Sequence, residues 1–168
     1  MSKDLVPIEQ WILDTMALEH LRDKARKSYG DIVWSYSNLI DLIPPNYATQ
    51  IKSSKDIEQI LLDFMKIGYV RPHLEYFDKF NCIIEPDGVL AFKRSLNPLV
   101  LQVKDKKNYN KIIEKTLGNS TIRNELRTLG DELRDRAESE IVNGLLSYLI
   151  KRGPDAIVYL LELLNNSG

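Results

Sequence analysis

The chain has 168 residues, enough to bury a core of its own, and its 43% apolar and 28% charged content excludes a low-complexity or disordered composition. A formal net charge of −1 gives no global positive field, so any contact with nucleic acid or an anionic membrane must come from a local patch. No apolar run approaches the roughly 18 residues of a membrane span, the opening Met1-Ser2-Lys3-Asp4 leads into charged sequence rather than a secretory signal, and the single cysteine, Cys82, suits a buried thiol in a reducing compartment; a soluble cytoplasmic protein is expected.

Residues 6–27 carry Ile8, Ile12, Met16, Leu18 and Leu21 at helical spacing, with Pro7 in the first turn. Glu9 and Asp14 toward the start, and Arg22, Lys24, Arg26 and Lys27 toward the end, complement the helix dipole, and Gly30 stops the helix. Ile32, Val33, Trp34 and Tyr36 predict a short edge strand over 31–36. Ser37 then caps a short helix over 38–43 that Pro44-Pro45 ends, and residues 45–52 form a linker. Ser53 or Ser54 caps the next helix, which buries Ile57, Ile60, Leu61, Phe64 and Met65 and breaks at Gly68.

From 69 to 84 the sequence predicts a hairpin: a strand with Tyr69, Val70, Leu74, Tyr76 and Phe77, a turn at Asp78-Lys79-Phe80-Asn81, and a return strand Cys82-Ile83-Ile84. Glu85-Pro86-Asp87-Gly88 closes it, and Val89, Leu90, Phe92, Leu96 and Leu99 open another helix.

A helix ending in Gly-Tyr-Val, then a hairpin, then a Pro-x-Gly restart resembles a winged helix-turn-helix over residues 32–96. The resemblance implies a recognition helix beginning near residue 53 and a wing at 69–84. Lys52, Ser53, Ser54, Lys55 and Gln59 on the leading turns, with Arg71, His73 and Lys79 on the wing, would then contact double-stranded DNA. The balance of Lys52, Lys55 and Lys66 against Asp56, Glu58 and Asp63 fits a second use of the same fold, a protein-interaction module without DNA binding.

The run also resembles, more weakly, the core of PD-(D/E)xK nucleases. That resemblance implies a metal held by Asp87 and Gln102, with Glu58 completing the site and Lys104 stabilising the attacking hydroxide, provided that residues 100–104 form a strand. On the plainer reading Asp87 is a turn residue and Lys104 one charge in a solvated cluster. No Ser-His-Asp, Cys-His, zinc-ligand or phosphate-loop pattern stands out, and with only His20 and His73 in the chain no metal site or cofactor is expected.

Residues 98–117 are ambiguous between strand and helix at first and helical from Tyr109 onward, to Gly118. Asn119-Ser120-Thr121 caps a long helix predicted from Ile122, Leu126, Leu129, Leu133, Ala137, Ile141, Leu145 and Leu149, ended by Gly153-Pro154-Asp155. The final apolar run to Leu164 must be covered, either by folding back or by a second copy; Leu145, Leu149, Ile157, Leu160, Leu161 and Leu164 are the candidate homodimer contacts. The expectation is therefore a mainly α protein with a small β-hairpin wing: a winged-helix domain over 1–97 and a C-terminal helical hairpin over 98–168.

Overall fold

Pro7 opens helix α1 (Pro7–Ala25) at a position where its missing N–H leaves no bond unmade. The structure, a computed structural model, describes residues 5–26, 30–73 and 80–165. Its chain divides into two compact units, Met1–Phe92 and Lys93–Gly168, where the sequence suggested a boundary after residue 97. The described residues are mainly helical with one small antiparallel sheet, and no described helix is long and apolar enough to cross a membrane.

In the first unit, α1 is buried around its circumference rather than along one stripe: every residue from Trp11 to Leu18 is buried. Both acids expected to serve its dipole are inside. Glu9 accepts the Val6 N–H at 3.1 Å, as an N-terminal carboxylate should, but Asp14 is 4% exposed and takes a 2.6 Å bond from Gln10 Nε2. Lys27 lies outside the described residues.

The strand expected at 31–36 contracts to one bridge, Trp34 with Cys82, closed by two backbone bonds of 2.8 Å. That pairing keeps the backbone extended through Ser35, so Ser35 rather than Ser37 becomes the N-cap of α2 (Tyr36–Ile40), accepting from the Asn38 N–H. The linker is not all loop, because Pro45 starts a single helical turn, α3 (Pro45–Ala48), that buries Tyr47.

Helix α4 (Ser54–Lys66), N-capped by Ser53, buries Ile57, Leu61 and Phe64 and packs on α2. Its stop is a Schellman motif: Gly68 takes φ +84°, its N–H reaches the Met65 carbonyl at 3.2 Å, and the Tyr69 N–H reaches that of Phe64 at 2.9 Å. The reversal delivers the chain into β1 (Val70–Pro72), which pairs antiparallel with β2 (Cys82–Ile84) in the register Val70 with Ile84, Arg71 with Ile83 and Pro72 with Cys82. β2 lies between the Trp34 bridge and β1, and all three of its residues are buried. Residues 74–79, with the rest of the expected first strand and Lys79, lie outside the described residues. Helix α5 (Pro86–Ser95) follows at once. A Cβ on Gly88 would stand 2.5 Å from the Tyr69 carbonyl oxygen, so this close approach requires glycine.

In the second unit, residues 100–104 belong to a helix, α6 (Asn97–Lys104), and not to a strand. Pro98 sits in its first turn, and the buried positions Leu99, Val100, Gln102 and Val103 follow the helical period rather than alternating. The nuclease geometry, which requires Gln102 and Lys104 on a strand, loses that premise. Asp105 caps α7 (Lys106–Thr116) through the Asn108 N–H, and Asn119 caps α8 (Ser120–Leu133) through those of Thr121 and Ile122.

The long helix expected from Ile122 to Leu149 is two helices, α8 and α9 (Glu138–Arg152), with a break at residues 134–137 that leaves Ala137 exposed. Spacing explains why. Each step of four overshoots a turn by about 40°, so 27 residues at about 100° each would carry the apolar stripe to the opposite side of a straight helix. Breaking the helix lets Leu126 and Leu133 on one segment and Ile141, Leu145 and Leu149 on the other all be buried.

Gly153, at φ +96°, ends α9, and α10 (Asp155–Asn165) packs on α6, α7 and α9. Leu145, Leu149, Ile157, Leu160 and Leu161 are each at most 5% exposed and Leu164 is half-buried, so the chain itself covers this run. These side chains present no open seam to a second copy.

Candidate functional site

The leading turns of α4 collect most of the residues singled out as DNA contacts. Lys52, Ser53, Lys55 and Gln59 are exposed and Ser54 is half-buried, as expected for positions away from the Ile57, Leu61 and Phe64 stripe. Arg71, exposed on β1, and His73, half-buried just after it, follow within the same unit. Lys79 is outside the described residues.

Carboxylates occupy much of this surface. Asp56 turns back over the start of α4, where its Oδ2 accepts the Lys52 N–H at 2.7 Å and the Ser53 N–H at 3.2 Å. Two of the lead-in amides, those of Lys52 and Ser53, thus already have an anion. Gln59 Nε2 donates to Asp63 one turn on, at 3.0 Å. Arg71 lies between two acids, its Nη2 3.1 Å from Asp31 Oδ2 and its Nε 3.1 Å from Glu85 Oε1. The lysine side chains of Lys52 and Lys55 are thus the cations best placed to meet a phosphate. The His73 N–H donates to the Asn81 carbonyl at 2.8 Å and extends the hairpin ladder, a structural role for its backbone.

Cys82, at the centre of the small sheet, is fully buried, and burial pushes its thiol up to about 12. It is a packing residue, not a nucleophile. The three residues of the nuclease reading are dispersed in character: Asp87 sits in the first turn of α5, Gln102 is buried in α6, and Lys104 is exposed at the end of α6.

A second cluster lies between α8 and α9, which the sequence joined into one helix. Arg152 holds the Glu125 carboxylate in a two-point grip, with Nε on Oε2 at 2.7 Å and Nη2 on Oε1, while the Tyr148 hydroxyl donates to Oε2 at 3.0 Å. Arg152 holds the Glu125 carboxyl below its ordinary range, and burial followed by the Glu125 bond pushes Tyr148 up to about 12. At neutral pH this is a carboxylate, a guanidinium and a neutral phenol beside a groove of about 660 Å³. The available signal was the drift of the four-residue spacing, which disfavours one straight helix; the meeting of Glu125 with Arg152 is a tertiary contact that spacing does not show.

Compared with family models, curated proteins and solved structures, the chain matches none.

Proposed function

We propose that the first unit is a winged helix-turn-helix that binds double-stranded DNA through the leading turns of α4. The observation that carries this reading is the order of the elements. A helix, a single-residue edge bridge, α2, the single turn α3 and then α4 precede a hairpin whose second strand lies between that bridge and the first. In such a unit α4 is the recognition helix, and the residues at its start reach the duplex. Lys52, Ser53, Lys55 and Gln59 are exposed there.

The charge arrangement bounds the affinity. With Asp31 and Glu85 on Arg71 and Asp56 over the α4 lead-in, Lys52 and Lys55 are the main phosphate contacts and Lys66 is a third exposed cation on the same helix, so about two or three phosphates are neutralised. Such a protein binds mixed-sequence DNA at about 10⁻⁴–10⁻⁶ M, with log affinity falling against log salt at a slope of about −2 to −3. Fluorescence anisotropy on a mixed-sequence duplex over a salt series measures both, and Lys52→Ala with Lys55→Ala should flatten the slope by about two. No salt-sensitive binding at the lowest salt would refute the DNA reading. It would support the second one, a protein-interaction module, which these carboxylate pairings, with that of Asp63 on Gln59, favour.

A further inference from the structure

We infer that the groove between α8 and α9 is a binding site for a small amphipathic zwitterion, the size of a short apolar peptide with free termini. It stands independently of the DNA reading, because every residue it uses belongs to the second unit.

The groove follows from how the two helices meet. They are in tight contact where Gly144 passes Leu133: a Cβ on Gly144 would be 2.5 Å from Leu133 Cδ2. Eight residues away on each helix, Glu125 meets Arg152, so the register is antiparallel and places Leu129 and Tyr148 midway. Toward that far end lies an open groove of about 660 Å³, lined on α8 by Glu125, Leu129 and Glu132 and on α9 by Tyr148, Lys151 and Arg152, a volume within the range of small-ligand sites.

The polarity of the groove selects the ligand. Leu129, half-buried, and the ring of Tyr148 give it an apolar middle. Glu125 and Arg152 neutralise each other. That leaves two exposed charges on the lining, Glu132 on the side nearer the glycine contact and Lys151 beside Arg152 at the other. In the antiparallel register Lys151 stands opposite Leu126, six residues from Glu132, or about 9 Å along α8 at 1.5 Å each. An extended tripeptide covers about the same distance at roughly 3.4 Å per residue. Its ammonium then faces Glu132, its carboxylate faces Lys151, and an apolar side chain rests on Leu129.

The test uses the full chain, ¹⁵N-labelled, titrated with trileucine bearing free termini, with N-acetyl-trileucine and with trileucine amide. Saturable shifts at the Leu129 and Tyr148 amides are expected with the free peptide, and blocking either terminus should weaken binding about two- to fivefold, the range for exposed ion pairs. Glu132→Gln should abolish the preference for a free amine while keeping that for a free carboxylate; Lys151→Gln should do the reverse. Both positions are exposed, so the variants fold. Absence of saturable shifts, or equal affinity for free and blocked peptides, overturns the assignment.

Discussion

Asp14 gives the sharpest prediction, because it is a carboxyl group 4% exposed on a helix buried all round. Burial raises it from 3.8 to about 8, against a smaller opposing effect of the Gln10 hydrogen bond. A group that protonates more readily folded than unfolded favours the folded state at low pH. Its stabilising protonation is fully present below the unfolded value and is lost as pH rises toward the folded one. Across that window the slope approaches 1.4 kcal/mol per unit, roughly, and the whole interval amounts to a ceiling of about 6 kcal/mol, which structural relaxation will reduce. Asp14→Asn keeps an acceptor for Gln10 Nε2 and removes the titration. Urea unfolding followed by circular dichroism from mildly acidic to mildly alkaline pH should show the wild type losing stability relative to the variant as pH rises, with the difference levelling off above about pH 8. Parallel curves would refute the reasoning, since they would mean that Asp14 is solvated when folded.

Other substitutions probe separate contacts. Gly68→Ala forces a side chain to φ +84° and should cost about 1 kcal/mol in urea unfolding, whereas Gly88→Ala puts a Cβ against the Tyr69 carbonyl and should cost more. Thr15→Val removes a buried hydroxyl with no hydrogen-bond partner among the described residues, and should be neutral or stabilising by about 1 kcal/mol. A double-mutant cycle of Glu125→Gln and Arg152→Gln should give only a weak coupling that shrinks further as salt is added, because solvent screens the pair. Because Arg152 lowers the Glu125 carboxyl, that coupling is present above the unfolded value near 4.5 and disappears as pH falls through the folded one.

The parts of the fold that were legible in the sequence are those with local causes. The α4 stripe and its glycine stop, the return strand Cys82-Ile83-Ile84 and the Asn119 cap are each dictated by residues within a turn or two. What was not legible depended on tertiary partners. The edge strand narrowed to Trp34 because only that residue meets Cys82, and this moved the cap from Ser37 to Ser35. The acids of α1 read as dipole charges because nothing in sequence shows a helix being enclosed on every side. The run at 100–104 has strand-forming residues, and Pro98 in the first turn was the signal that favoured a helix. At the candidate DNA surface, the positions could be read but their partners could not: Asp31 is forty residues from the Arg71 it holds.

The central claim is that α4 presents its first turns to a duplex. Chemical-shift mapping of the ¹⁵N-labelled chain against a short mixed-sequence duplex at low salt tests it most directly. The account predicts perturbations concentrated at Lys52, Ser53, Ser54, Lys55 and Gln59 with a weaker set along β1, all fading as salt is added. Perturbations confined to the second unit, or none at all, would contradict it.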